Sequence, residues 1–172
     1  MLDRYTWRHD SILRELFNQL ESTDDEYQIY IDIEGLNIAG GTIHPNITPT
    51  TQRPDLIIVW PTSKQIAIVE LTIPFELNAT KAHKRKQERY EKLVRDIETV
   101  GFKVYFYAIE IGCRGHITKD NTNRIKSLFK RCKRPLNSTL VTLSKYAIIS
   151  SFTIFYSRHE RHWVNPDLLS LT

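Results

Sequence analysis

Cysteine is scarce in this chain. Cys113 and Cys132 are the only two, they stand nineteen residues apart, and neither belongs to a C-x-x-C pair. That usage supports neither a disulfide framework nor a zinc ribbon, and it favours an intracellular, reducing compartment. Long hydrophobic runs are missing too. The most apolar stretch, LVTLSKYAIISSFTIFY over 140–156, has seventeen residues and is interrupted by Lys145 and several hydroxyls. It is short for a membrane span, so a buried helix and no membrane partner are expected. The opening MLDRYTWRHDSI is charged from residue 3, which does not suit a signal peptide. Repeats, low-complexity tracts and linkers are absent, so 1–172 reads as one compact soluble domain.

Net charge is a mild +4, but it is unevenly spread. Between Lys81 and Lys92 the six basic residues Lys81, Lys84, Arg85, Lys86, Arg89 and Lys92 meet only the two acids Glu88 and Glu91. A second basic run, KSLFKRCKR, covers 126–134. Such concentrations attract polyanions such as nucleic acid, although a solvated helix face explains a lone cluster equally well.

Periodicity supplies the elements. HDSILRELFNQLES (9–22) has apolar positions 12, 13, 16, 17 and 20, an amphipathic helix. YQIYIDIE (27–34) alternates and reads as a half-buried strand. Gly40-Gly41, Pro45 and Pro49 mark 35–52 as a loop. LIIVW (56–60) and IAIVEL (66–71) are continuous apolar runs suited to central strands. A long basic helix over about 78–100 is stopped by Gly101, and FKVYFYAIEI (102–111) is a further strand. Helices over about 120–132 and 138–157 follow. The predicted order is αβββαβ plus C-terminal helices, an α/β fold with a mixed sheet.

The acids Asp55 and Glu70 stand at the far ends of the two central runs, which PTSK (61–64) separates. A four-residue hairpin loop there makes opposed residue numbers sum to 125, so Asp55 faces Glu70. Directly opposed residues share a face, with Cβ atoms about 4.5–5.5 Å apart. Two like charges so close are costly unless solvated at a rim or neutralised, and a bound divalent cation is one neutraliser. Mg²⁺ accepts one or two carboxylates together with water and phosphate oxygens, the donor set of a phosphodiester-cleaving site. Lys86 stands four residues before Tyr90 on one face of the basic helix, placed to project towards the acids.

Pro54-Asp55, Glu70-Leu71-Thr72 and the basic helix resemble the PD-(D/E)xK nuclease superfamily. The superfamily lysine normally follows the second acid by two residues, where this chain has Thr72. A narrower likeness accommodates the departure. Arg53-Pro54-Asp55, Glu70-x-Thr72 and a helical lysine before a tyrosine, Lys86 and Tyr90, resemble the restriction-like endonuclease domains of site-specific non-LTR retrotransposons. Arg89 stands where that family often has a second lysine, and Arg8-His9-Asp10 matches its leading segment; the likeness covers about 4–115.

The resemblance implies a restriction-endonuclease-like core over about 9–115 with a helical extension over about 116–172. It implies a Mg²⁺- or Mn²⁺-dependent DNA endonuclease leaving a 5′-phosphate and a 3′-hydroxyl. Asp55, Glu70 and the Leu71 carbonyl would hold the metal, and Lys86 would assist catalysis. Arg53, Lys84, Arg85, Arg89 and Arg114 would contact DNA, with Thr72, Tyr90 and His9 in support. A nuclear location, a reverse transcriptase partner and a homodimer are further implications. No polymerase motif fits in 172 residues, which suggests an excised domain or a stand-alone relative. The alternatives are an inactive nucleic-acid-binding domain of the same fold and a junction resolvase.

Elsewhere, Glu15 and Glu34 are candidates for a third carboxylate. His159-x-x-His162 lacks cysteine partners and reads as surface, and Trp7, Trp60 and Trp163 read as docking anchors.

Overall fold

The computed structural model describes residues 2–21, 26–36, 43, 46–75 and 79–167. Its elements run α1 (Leu2–Leu20), β1 (Gln28–Ile31), β2 (Leu56–Trp60), β3 (Gln65–Thr72), α2 (Ala79–Thr99), β4 (Lys103–Glu110), α3 (Lys119–Arg131) and α4 (Thr139–Tyr156). The four strands form one mixed sheet in the order β1-β2-β3-β4. The first two junctions are antiparallel and β3–β4 is parallel. A parallel neighbour needs a crossover, and α2 is that crossover.

The hairpin closes in the expected register. Trp60 pairs with Gln65 and Leu56 with Val69, and the Lys64 N–H donates to the Pro61 carbonyl at 3.3 Å. All five residues of β2 are buried, because helices cover both faces of this central strand. On one face Leu56, Ile58, Trp60, Ala67, Val69 and Leu71 join a core shared with α1, α3 and α4. On the other, Ile57, Val59, Ile66 and Ile68 lie beneath Tyr90, Leu93 and Ile97 of α2. The three- and four-residue spacing of those α2 positions is one helical stripe. Gly101, with φ +93, follows the end of α2 and takes the left-handed conformation a side chain would resist.

Several expected boundaries move. α1 begins at Leu2 rather than residue 9, because tertiary contacts anchor its first turns. Arg4 donates to the carbonyls of Ser157 (2.6 Å) and Glu160 (2.7 Å), and the Trp7 indole donates to Pro166 (3.0 Å). Trp163 meets Trp7 edge-on at 5.3 Å, and Trp60 packs on Tyr27. β1 spans four residues rather than eight, since the chain turns after Asp32 and the Leu36 N–H bonds back to Ile33 at 3.0 Å.

The expectation of a buried C-terminal helix is corrected. α4 buries Leu143, Tyr146, Ala147, Ser150 and Ile154 but exposes Val141, Ile148, Phe152, Phe155 and Tyr156. A helix apolar on every side can turn only one stripe to a core. By length and composition α4 would also pass as a membrane-crossing helix, a test that core helices pass too. Gly40-Gly41, His44, Pro45, Ser22 and Asn78 lie outside the described residues, as do the side chains of Lys81 and Ala82.

Candidate active site

Asp55 immediately precedes β2, and Glu70 lies in β3 one step beyond the Leu56–Val69 pair. Strand alternation turns both side chains to the α2 face, with Ile57 and Val59 beside one and Ile66 and Ile68 beside the other. The two acids are cross-tied through backbone. The Asp55 N–H donates to Glu70 Oε1 at 3.0 Å, and the Leu71 N–H donates to Asp55 Oδ2 at 2.7 Å. Continuing the register puts Pro54 opposite Leu71, and proline brings no N–H for the Leu71 carbonyl on that side.

α2 delivers the balancing charge. Lys86, one turn before Tyr90, donates through Nζ to Glu70 Oε2, and the same nitrogen lies 3.9 Å from Asp55 Oδ2. Glu70 is 1% exposed, so this pair is desolvated. Tyr90 locks the arrangement from behind, donating to the Arg53 carbonyl at 3.1 Å. Burial, then the adjacent Glu70, raises the Tyr90 hydroxyl well above its usual value and keeps it a donor.

α1 closes the third side. His9 Nε2 lies 3.3 Å from Asp55 Oδ2, while its Nδ1 bonds Asp10 at 3.0 Å. Burial alone would lower the imidazole, but hydrogen bonds and charge from Asp10 and Asp55 outweigh it and raise it to about 10. Arg8 donates to Ser151 Oγ (2.9 Å) and to the Ile73 carbonyl (3.0 Å), fixing α1 against α4 and the end of β3.

These surroundings push the two acids apart. Burial would raise Asp55, yet the hydrogen bond and charge of His9, then Lys86 and the Leu71 amide, hold it below the ordinary carboxylate range. Burial and then the Asp55 charge raise Glu70, against the pull of Lys86. One carboxylate is thus held ionised and its neighbour is disposed to take a proton, the split that acid–base sites show.

The remaining predicted residues divide. Thr72 shares the α2 face with Glu70 by alternation, and its hydroxyl is buried with no partner among the described residues. Arg53 is half exposed and pairs with Asp32 at 2.5 Å. Arg89 is exposed over the Tyr90 ring at 5.3 Å, so both arginines border the site. Lys84 and Arg85 project from the exposed side of α2, and Arg114 lies over Phe75 at 5.1 Å. Glu15 and Glu34 are not third carboxylates: both line a cleft beside α1, and Glu15 accepts from Gln19. His159 and His162 are exposed, as expected.

Two residues escaped sequence reasoning. Glu110, at the end of β4, is 4% exposed and accepts from His83 of α2 at 2.9 Å. The available signal was positional, since His83 is one turn from Lys86 and an acid ends an otherwise apolar strand.

Among the described residues no group of three or more His, Cys, Asp or Glu side chains converges as a metal centre. The donors at hand are two carboxylates and a backbone carbonyl, a hard all-oxygen set that suits Mg²⁺ or Mn²⁺ and not a thiolate- or imidazole-seeking ion. The Lys86 ammonium between the two carboxylates shows that this position takes positive charge. The chemistry of this donor set fits a divalent cation. No protein-family model matches this chain, and no curated protein is significantly similar to it.

Proposed function

We propose that this chain is a divalent-metal-dependent DNA endonuclease with a restriction-endonuclease-like core, of the kind attached to retrotransposon reverse transcriptases. The observation that carries the reading is the convergence of Asp55, Glu70 and Lys86 beneath one face of α2. The relocated lysine supports it further. Thr72 occupies the usual lysine position, and Lys86 brings an amine to the same carboxylate from the helix.

Asp55, Glu70 and the Leu71 carbonyl would hold Mg²⁺, which when bound supplies Lewis-acid stabilisation of charge on the phosphoryl oxygens. Asp55, kept ionised by His9, is the permanent anion of the site. Glu70, paired with Lys86, is the second carboxylate of the site and holds the amine against it. Lys86 stabilises the negative charge that builds at phosphorus, and Arg53 and Arg89 at the rim hold the DNA backbone.

A nicking assay on supercoiled plasmid with Mg²⁺ or Mn²⁺ tests the reading. Wild type should nick, and Asp55→Ala and Lys86→Ala should each lose about 10²-fold or more, the usual effect of removing one stabilising group. Wild-type activity equal to that of Asp55→Ala would sink it. The second reading, an inactive nucleic-acid-binding domain, draws on the closed Lys86–Glu70 pair, which also serves as a purely structural ion pair. It predicts salt-dependent DNA binding with no metal-dependent cleavage. Preference for branched over linear DNA would instead mark a junction resolvase.

A further inference from the structure

A second carboxylate–cation pair lies beside the first under α2. Glu110 pairs in register with Thr72, two residues beyond the Glu70–Ala108 pair, so it shares the Glu70 face one strand over. Its position is fixed from three directions. Arg124 of α3 reaches Oε2 at 3.3 Å, His83 bonds Oε1 at 2.9 Å, and the Glu110 N–H donates to Asn121 Oδ1 at 3.0 Å. Asn121 is itself held by Thr118 at 3.0 Å.

With Arg124 already facing this carboxylate, its charge is compensated without the imidazole. The consequence of the His83 contact is orientation. The ring is held through Nδ1, its side chain is 22% exposed, and among the described residues no hydrogen bond occupies Nε2. His83 and Lys86 stand three apart on α2, a spacing that puts Cβ atoms about 5–6 Å apart. An in-line displacement has the attacking and leaving oxygens about 5 Å apart on opposite sides of phosphorus, with the attacking atom about 3–3.5 Å away. A phosphodiester lying along α2 and attacked at Lys86 would present its leaving oxygen on the turn that carries His83.

We propose that His83, oriented by Glu110, is the general acid for the leaving oxygen of the phosphodiester cleaved at Asp55, Glu70 and Lys86; this rests on the nuclease reading above. The water oxygen bonds to phosphorus and its proton passes to the surrounding water. The P–O3′ bond breaks, its electron pair stays on O3′, and O3′ takes the proton from His83 Nε2. The neutral ring is reprotonated from solvent. The charged groups around the ring are Glu110 from β4, Arg124 from α3 on the same carboxylate, and Lys86 three residues on along α2; among the described residues Glu110 is its hydrogen-bond partner.

The test compares two leaving groups on the full chain: supercoiled plasmid, whose O3′ needs a proton, and bis(4-nitrophenyl) phosphate, whose nitrophenolate does not. His83→Gln and His83→Ala should nick plasmid about 10²-fold more slowly, at the low end for general acid catalysis. On the nitrophenyl diester they should stay within about threefold of wild type, whereas Lys86→Ala should fall on both. Affinity for duplex DNA without metal should be unchanged in His83→Gln, since a general acid acts in the transition state. Glu110→Gln, which keeps an acceptor for Nδ1, should give a smaller plasmid defect. Urea midpoints confirm that each variant is folded. Equal losses on both substrates, or weakened DNA binding, would make His83 a phosphate contact and overturn the proposal. No loss on either overturns it while leaving the nuclease reading intact. A wild type that cleaves neither substrate overturns both.

Discussion

Lys86→Met isolates the ion pair at the centre of the site. The substitution keeps the length and apolar stem of the side chain and removes only the ammonium. Glu70 is then left as a carboxylate 1% exposed, with the Asp55 N–H and the Tyr90 hydroxyl as its donors and the Asp55 charge still beside it. Removing one partner of a buried pair costs about 3–5 kcal/mol. The Lys86 side chain is itself 15% exposed, and Glu70 can take up a proton, so the lower end applies, about 3 kcal/mol near neutral pH. For a chain of this size that lowers Tm by about 6–12 °C.

The pH dependence has a definite sign. The folded Glu70 is already raised, and without Lys86 it rises further, so the folded state binds its proton more tightly than the unfolded chain does. The stability deficit of the variant should be smallest below about pH 4.3 and grow as pH rises through the folded value. Lys86→Met/Glu70→Gln should recover about 2 kcal/mol, because the amide keeps an acceptor for the Asp55 N–H without a charge to bury. Urea unfolding of the three variants between pH 4 and pH 8 checks this. A cost below about 1 kcal/mol at neutral pH, or a double variant no better than the single, refutes a desolvated Lys86–Glu70 pair.

His9 gives a pH signature of the same sign in a higher window. Its folded value, raised to about 10, means that the His9–Asp55–Asp10 contribution is fully present below about pH 6.5 and lost as pH rises towards 10. His9→Ala should therefore flatten the stability profile between those limits, measured by chemical denaturation; an unchanged slope counts against the contact. Thr72→Val removes a buried hydroxyl that has no partner among the described residues and keeps the shape, so it should stabilise by about 1 kcal/mol in a urea titration, and a loss would reveal an unseen acceptor. Gly115→Ala places a Cβ 2.7 Å from the Ile148 side chain and Ser144 Oγ at φ +83, and should cost about 2–3 kcal/mol by thermal unfolding.

What could be read from the sequence was governed by how local each cause is. PTSK is short enough to dictate its own register, and the register alone brings Asp55 opposite Glu70. The stripe of Lys86, Tyr90, Leu93 and Ile97 is likewise a matter of helical spacing, so the approach of the amine to the acids was legible before any contact was known. His9 on Asp55, Arg8 on Ile73 and Ser151, and His83 on Glu110 join residues 27 to 143 positions apart, and no spacing rule connects them. The same limit explains α4. Its apolar composition announces burial, but which stripe is covered is decided by α1, against which α4 packs and whose own extension to Leu2 depends on Arg4 and Trp7 finding Ser157, Glu160 and Pro166.

On the reading proposed above, Lys86 shows why a fixed motif spacing is weaker evidence than a shared face. A lysine at position 72 would stand on the strand beside Glu70 and reach the carboxylates along the sheet surface. At position 86 it comes down from α2 onto the same oxygen, and Thr72 is left with a buried hydroxyl that bonds nothing among the described residues. A charge acts through its position and not through the element that carries it, so the two placements are electrostatically equivalent where the acids are concerned. They differ in mobility: an amine on α2 is held by the packing of Tyr90, Leu93 and Ile97, and any shift of that helix moves Lys86 and His83 together. On the nuclease reading proposed above, a site built this way would couple Lys86 to His83 through one rigid element. Substitutions beneath α2, such as Leu93→Ala, should therefore impair catalysis more than binding.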